Sequence, residues 1–430
     1  MIETFPTVNF SAYQRQTILE KLSTLLDMHK AELADLIVSE VKKPISLAQR
    51  EVERAVAITK DAAAEAVRFG GEWLPADIQA STAQHQIFSK RVPLGPLLAI
   101  TPFNYPLNLA VHKIAPAMAV GLAFVLKPSP RAPRTAQLLI QLIHDAGWPQ
   151  AAAQLLTCPN EQVIDWVRDP RFAIVSFTGS AAIGWKIKKE AAAKQVLLEL
   201  GGNASVVLAP DAAWNKAIAR IVWGAFMYAG QVCISVQQIW IHDLFYEACC
   251  KAIVSETEKL KVGDPQQAAI LVPPMIDGAA AARIEVWIKT AQAGGAKILC
   301  GGNRDDATFS PTVLSEVPLS SLLVCEEAFG PILVVHRYHD LSEVYQHLQA
   351  DAYGLQTAVY TESLRTAFDA YQKISAGTVL INEIPTFRLD TMPYGGTKAS
   401  GVGREGVRHA MLDYSEAKNL VLQPYFSGLA

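Results

Sequence analysis

This sequence predicts an α/β fold, with parallel sheets covered by helices on both faces, and three observations carry that expectation. From residue 95 short apolar runs alternate with stretches of helical spacing. The second half of the chain reads as another unit of the same kind. Its 430 residues, 50% of them hydrophobic, suffice for a large core divided over two or three domains. Strands and helices alternating at this spacing indicate parallel rather than hairpin pairing.

The chain opens with two amphipathic segments. Between Ser11 and Val41, apolar residues fall at Ile18, Leu22, Leu25, Leu26, Leu33, Leu36 and Ile37, near helical spacing. After Lys43-Pro44, Leu47, Val52, Ala55 and Ile58 form a similar stripe. Strand-like PLLAIT (96–101) precedes a helical 108–120, AFVLK (123–127) a helical 134–146, and FAIVSFT (172–178) a helical 181–194. VLLEL (196–200) then ends at Gly201-Gly202. In the second unit QIWIH (238–242), AKILCGG (296–302) and PILVVHRY (331–338) alternate with helical 244–260 and 278–294, and GTVLI (377–381) adds a strand. KRVPLG (90–95) and AKNLVLQP (417–424) read as exposed strands outside either core, suited to pairing with another subunit.

A net charge of −3 gives no basic face for nucleic acid. The stretch MIETFPTVNF has no apolar core of the secretory kind. The most apolar window, Gly95 to Leu126, is broken by Pro96, Pro102, Pro106 and Pro116 and carries His112 and Lys113, so it reads as buried structure rather than a membrane span. The cysteines at 158, 233, 249, 250, 300 and 325 form no C-x-x-C pair, which suggests free thiols in a cytoplasmic setting. His336 and His339 have no further ligands in evidence, so no metal is expected.

Gly401, Gly403 and Gly406 in ASGVGREG match G-x-G-x-x-G, but without a preceding strand and a following βαβ unit they read as a glycine-rich loop. FAIVSFTGSAAIG is a better phosphate site: a buried strand meets a helix at Gly179-Ser180, with Gly184 in that helix. Lys127, at the carboxyl end of AFVLK, lies where such sheets bind ligands, or is a surface lysine. In FMYAGQVCISVQQ (226–238) the turn before Cys233 is too short and apolar for a metal knuckle, so the thiol is a candidate nucleophile. Asn104, directly after a strand end, could donate to a developing oxyanion or cap a turn. Glu199, among Val196, Leu197, Leu198 and Leu200, is costly to bury as an anion, which suits a general base or a buried ion pair. Glu326 or Glu327 in EEAFGP could grip a ribose or lie solvated.

TPFNYPL, LKPSPRAP, FTGSAAIG, LELGGN, YAGQVCIS, EEAFGP, INEIPTF and PYGGTKASGVGREG, in this order over roughly residues 10–425, together resemble the NAD(P)-dependent aldehyde dehydrogenase superfamily. That resemblance implies a Rossmann-like cofactor domain (1–79 and 96–201), a catalytic domain (202–395) and oligomerisation strands (80–95 and 415–425). It implies Cys233 as nucleophile, Glu199 as general base and Asn104 as oxyanion donor. Lys127 and Glu327 would bind ribose hydroxyls, Gly179 and Ser180 would face the pyrophosphate, and Phe329 would pack near the nicotinamide ribose. Thr101, Pro102, Phe103, Ser129, Pro130, Gly184 and Leu200 would complete the site for NAD or NADP. The implied reaction takes a small aldehyde through a thiohemiacetal and a thioester to the carboxylate, in a homodimer or homotetramer.

Departures from the family pattern bear on specificity. The chain begins near the family's first long helix, so its usual N-terminal strands are expected to be missing. Pro130 stands where NAD-preferring members often carry a glutamate, leaving Arg131 or Arg134 to meet a 2′-phosphate. Gln238 replaces a common arginine, and the loop VGDPQQAAILVPPM is shortened. PTFRLDTMPYGG and YAGQVCISVQ look most like the branch acting on small hydroxylated or anionic aldehydes, including lactaldehyde and sulfo- or phospho-aldehydes. Arg388, Tyr105, His112 and Arg68 are the candidate substrate contacts, with a structural ion pair the alternative for Arg388. Apolar Val232 beside the nucleophile favours an uncharged or remotely charged substrate. The competing readings are a CoA-acylating relative, which has little use for Glu199, and a truncated binding or structural protein.

Overall fold

The computed structural model describes residues 5–423. The first amphipathic segment is two helices, Ala12–Met28 and Lys30–Val41, broken at His29; the second is Ile45–Arg68. Ser11 starts the first helix with a reciprocal cap, its hydroxyl accepting from the Gln14 N–H and its own N–H bonding the Gln14 side chain, at 3.2 and 2.8 Å. Lys42, in a left-handed conformation, and Pro44 separate the second and third helices.

A six-stranded sheet lies beneath these helices, in the order Gly401–Val402, Gln195–Glu199, Ile174–Thr178, Leu97–Ile100, Phe124–Lys127, Ala153–Leu155. Its strands are parallel except Gly401–Val402, which runs antiparallel to Gln195–Glu199. The strand 97–100 is followed in sequence by its neighbour on one side, 124–127, whereas its other neighbour, 174–178, comes later. The topology therefore reverses between 97–100 and 174–178, and a crevice opens there at the carboxyl ends, where such sheets take ligands. The helix Asn108–Val120 is buried along its whole length, as its apolar composition requires, and it carries His112 and Lys113 inside with it.

The second sheet has seven strands, ordered Lys297–Cys300, Thr312–Ser315, Ile332–Tyr338, Gln238–His242, Ser205–Leu208, Gln356–Tyr360, Thr378–Ile381. All pair in parallel except the edge strand 297–300. The expectation of parallel sheets thus holds for each interior, with one antiparallel strand added at an edge. The buried strands 205–208, 312–315 and 356–360 escaped the sequence reading because they are short and begin with Ser, Thr or Gln, which breaks up their apolar runs.

Gln86–Pro93 is the central strand of a separate three-stranded antiparallel sheet, pairing with Ser415–Leu422 on one side and Glu72–Leu74 on the other. Residues 424 and 425 of the expected strand segment lie outside the described residues. Strand 72–74, placed by sequence in the cofactor domain, pairs in this outer sheet instead. The G-x-G-x-x-G segment packs against the strand that carries Glu199, with Gly401 opposite Glu199 itself. Among the described residues, no helix is long and apolar enough to cross a membrane.

Candidate active site

A cavity of about 610 Å³ opens between the two large sheets. Its lining includes Cys233, Asn104 and Glu199, which the fold delivers from three separate elements. Cys233 follows the helix Trp214–Phe226 on a turn in which Tyr228, Ala229 and Gly230 are all left-handed, with φ of 53°, 53° and 67°. Two successive non-glycine residues, Tyr228 and Ala229, in that region are uncommon. Gly230 has no substitute, because a Cβ there would sit 2.1 Å from the Gly330 carbonyl oxygen. The turn is pinned by Tyr228 Oη donating to the Val41 carbonyl at 2.7 Å and by Thr386 Oγ1 donating to the Ile234 carbonyl at 3.0 Å.

Asn104 leaves the end of strand 97–100. Its Nδ2 donates to the Gln231 carbonyl at 3.0 Å, which leaves its second N–H for a ligand. Lys43 Nζ donates to the Asn104 carbonyl at 2.7 Å and ion-pairs with Glu51, both side chains fully buried. Glu51 in turn accepts the N–H groups of Leu107 and Asn108, each at 3.0 Å, where the buried helix begins. Burial lowers the Lys43 amine to about 8 against the pull of Glu51. Lys43 also lies 3.2 Å above the Tyr105 ring, so Tyr105 is both cavity wall and support for this loop.

Glu199 ends strand 195–199 with Oε2 buried and without a hydrogen-bond partner. Burial and then the neighbouring Glu405 raise its carboxyl well above the usual range. Among the described residues it makes no ion pair; the ion pairs belong to Glu405, with Arg388 Nη2 at 2.9 Å and Lys113 at 3.3 Å. Burial also acts on Glu405, but Lys113 and Arg388 outweigh it and hold that carboxyl near 2. The two acids are thus driven apart, one toward the proton and one toward the anion. Burial pushes the Cys233 thiol up to about 12, opposed by a hydrogen bond with Tyr394, Sγ to Oη 3.2 Å.

Beside Glu199, whose carbonyl accepts the Gly179 N–H at 3.1 Å, Gly179 and Ser180 join strand 174–178 to the helix Ala181–Glu190, and both line the cavity with Pro102, Phe103, Leu200, Glu327 and Phe329. Thr178 Oγ1 and Thr101 Oγ1 are buried without partners beside this turn, and the Thr101 N–H bonds the Lys127 carbonyl across adjacent strand ends. Those orphaned hydroxyls and the open helix N-terminus suit a phosphorylated ligand. Gly184 packs against Leu200, so its place is the contact between helix and strand. Glu327 folds over Gly201, where a Cβ would come within 2.3 Å of Oε2, and Oε1 accepts the Gly202 N–H at 3.2 Å. Phe329, left-handed at φ 47°, packs edge-on to Phe103 at 6.0 Å. Lys127 Nζ donates to Asn160 Oδ1 at 2.6 Å, and the exposed Pro130 and half-buried Ser129 lie just beyond. Arg131 pairs with Asp277 at 2.6 Å, while Arg134 uses its backbone N–H, to Glu40, and leaves its side chain exposed.

Two substrate candidates are displaced from the cavity. Arg68 ends the helix 45–68 with its side chain 68% exposed beside Glu65, because the third helix carries it past the site. His112 is buried between Asp390 at 3.0 Å and Arg388 at 2.9 Å and does not line the cavity. Arg388 does line it, with its charge engaged by Glu405 and, at 3.5 Å, Asp390, so the ion-pair alternative describes what it does here. His336 bonds Gln238 at 2.9 Å and stacks on Trp240, whereas His339 is exposed. The sequence reading missed Tyr394, Glu405, Lys43, Glu51, Arg50 and Arg54. Two signals pointed to some of them: Lys113 and His112 in an apolar helix require buried acids opposite, and Glu51 falls near the apolar stripe of its helix.

A parallel-sheet crevice lined by a thiol, an amide, a proton-holding carboxylate and a phosphate-suited turn defines an α/β protein with a two-part ligand site. The sequence profile described as the aldehyde dehydrogenase family matches residues 4–420, and the chain belongs to that family. It is 38% identical over 414 residues to the 3-sulfolactaldehyde dehydrogenase of Priestia aryabhattai, covering 96% of this chain and 87% of that protein. Its structure is similar to that of aldehyde dehydrogenase 21 from Physcomitrella patens in complex with the reaction product succinate, with TM-score 0.95 and 39% identity, covering 98% of this chain and 88% of that one. It is also similar to the NADP complex of glyceraldehyde-3-phosphate dehydrogenase from Methanocaldococcus jannaschii, with TM-score 0.93 and 36% identity, over 97% of this chain and 91% of that one.

Burial raises the Glu327 carboxyl from 4.5 to about 7. The folded protein therefore keeps a proton that the unfolded chain releases, and the stability this lends is complete below 4.5 and lost as pH rises to about 7. Glu327→Gln removes that dependence. Between pH 5 and pH 8 the variant is expected to gain on the wild type by about 2.5 kcal/mol in denaturant unfolding; a constant difference across that range would contradict the buried, proton-holding carboxyl.

Proposed function

We propose that this protein oxidises a small aldehyde to its carboxylic acid with NAD or NADP, through a covalent bond to Cys233. The observation that carries this reading is the convergence of Cys233, Asn104 and Glu199 on one cavity that the Gly179-Ser180 turn also lines. In this reading the Cys233 thiolate attacks the carbonyl carbon, and the Asn104 amide with the Cys233 backbone N–H holds the oxyanion. Gly179, Ser180, Glu327, Phe329 and Lys127 would hold the dinucleotide, which supplies a hydride acceptor when bound. Glu199 takes a proton from water, and the hydroxide releases the acid from Cys233. A carboxyl whose proton affinity burial raises well above the usual range is a stronger base for that step. The presence of Glu199 in the cavity favours hydrolysis over transfer of the acyl group to CoA.

For the substrate, Arg50 and Arg54 line the cavity one helical turn apart. Asp390 takes up Arg54 in two bonds of 2.8 and 2.6 Å, whereas exposed Arg50 has no ion-pair or hydrogen-bond partner among the described residues. Val232 is buried and apolar next to the thiol, so an anionic group belongs at the distant end of the substrate. Two of the relatives above are named for a sulfonated or a phosphorylated aldehyde and the third holds its product succinate, which fits a small aldehyde with a remote anion. Pro130 and the free Arg134 side chain leave room for a 2′-phosphate.

We also assign 1–79 and 96–201, apart from strand 72–74 in the outer sheet, to a cofactor-binding domain and 202–395 to a catalytic domain. The outer sheet exposes Leu420, Val421 and Leu422 on an edge strand that is paired on one side, which supports a homodimer or homotetramer joined there. The described cysteines are free, which supports a cytoplasmic setting.

Reduced-nicotinamide formation from lactaldehyde, glycolaldehyde, propanal and succinate semialdehyde, with each cofactor, tests the reading. Cys233→Ala is expected to lose at least about a thousandfold in turnover; full activity in that variant, or cofactor binding without turnover in the wild type, would sink it. Arg50→Ala is expected to raise KM for succinate semialdehyde about tenfold, the size of one charge-assisted hydrogen bond, and to spare propanal. Equal effects on both substrates would remove Arg50 from the anion site.

A further inference from the structure

The Tyr394 hydroxyl has one hydrogen-bond partner, Cys233 Sγ at 3.2 Å, and the residue is only 2% exposed. Its backbone is clamped on both sides, its N–H bonding the Glu405 carbonyl at 3.0 Å and its carbonyl accepting the Glu405 N–H at 2.7 Å. The Glu405 side chain holds Arg388 at 2.9 Å, and the Arg388 guanidinium carbon lies 3.8 Å from the Tyr394 ring centroid. Tyr394, Glu405 and Arg388 therefore form a closed unit. It aims one O–H at the sulfur and lays one cation on the face of the same ring, an arrangement that strengthens the phenol as a donor.

We propose that Tyr394 is a further catalytic residue, donating a hydrogen bond that holds the Cys233 sulfur as a positioned thiolate, and that Arg388 is a positioning residue acting through the Tyr394 ring. This rests on the reading of Cys233 as nucleophile. A thiolate has no proton to give, so in that state the bond runs only from the Tyr394 O–H to sulfur. When the Sγ–C bond forms, the carbonyl π pair moves to oxygen and sulfur loses its charge. The Tyr394 bond is then weakened, and the charge passes to the side where the Asn104 amide waits. The groups facing the sulfur are Tyr105, Glu199, Glu327, Arg388 and Tyr394. The two carboxyls disfavour the thiolate, and of the others Tyr394 and Arg388 favour it. Arg388 is thus assigned to the nucleophile rather than to a substrate anion.

The test is the pH dependence of iodoacetamide alkylation at Cys233, followed on its own peptide by mass spectrometry in the full-length protein. Tyr394→Phe keeps the ring and removes one oxygen. It is expected to displace the alkylation profile about one unit to the alkaline side and to slow alkylation at neutral pH about tenfold, with cofactor affinity unchanged. Arg388→Lys keeps a cation for Glu405 but loses the flat stack, and is expected to shift the profile in the same direction by less. A ring that merely fills space would leave the profile of folded Tyr394→Phe on that of the wild type, and that result overturns the proposal. An unmoved profile in Arg388→Lys overturns the part given to Arg388. Turnover surviving in Cys233→Ala would instead fail the nucleophile reading itself, whatever Tyr394 does.

Discussion

The buried ion pair of Lys43 and Glu51 is the joint on which the site depends. Removing both charges from water costs several kcal/mol per ion, and only full pairing and hydrogen bonding offset such a cost. Each is satisfied here by a different element. Lys43 also takes the Asn104 carbonyl, and Glu51 takes two N–H groups at the start of the helix 108–120. The chain between Lys42 and Glu51, the loop after strand 97–100 and the buried helix thus share a single fixed point. Nearby, Tyr228 Oη reaches the Val41 carbonyl and ties the left-handed turn before Cys233 to the same region. Loosening the pair would move the amide and the thiol relative to each other, because both are referenced to it.

Around that joint the protein separates charge unevenly. Glu405 collects Lys113 and Arg388 and stays anionic, while Glu199, one strand away, receives no cation directly and is driven toward the proton. Gly401, paired opposite Glu199, belongs to the segment that also supplies Glu405, so the loop that closes over the base strand brings the acid that perturbs it. A single carboxylate in an apolar strand would be an expense without a use. Set beside an ion-paired twin, it becomes a carboxyl that holds its proton well above the usual carboxylate range.

Much of this was legible in the sequence wherever the chemistry is local. Cys233, Asn104 and Glu199 stand out because each breaks the texture around it, as a thiol in an apolar turn, an amide at a strand end or an acid among leucines. The strands 97–100, 124–127 and 174–178 announce themselves by unbroken apolar runs. Residues whose meaning comes from distant partners could not be read this way. Glu405 lies in a glycine-rich loop that resembles a dinucleotide fingerprint until it is seen folded against Glu199, and Tyr394 acquires its role only across 161 residues of sequence. Arg388 was visible as a charge near the site, but its direction depends on Glu405, Asp390 and Tyr394 together. Strand 205–208 was lost because four residues after a glycine pair carry too little periodicity.

The most direct test of the covalent chemistry is to stop the reaction with Cys233 loaded. In Glu199→Gln, mixed with aldehyde and NAD or NADP and quenched in acid, about one equivalent of reduced nicotinamide should form and then stall. The Cys233 peptide should carry the added mass of the acyl group. Steady turnover at the wild-type rate with an unmodified Cys233 peptide would contradict both the nucleophile and the base.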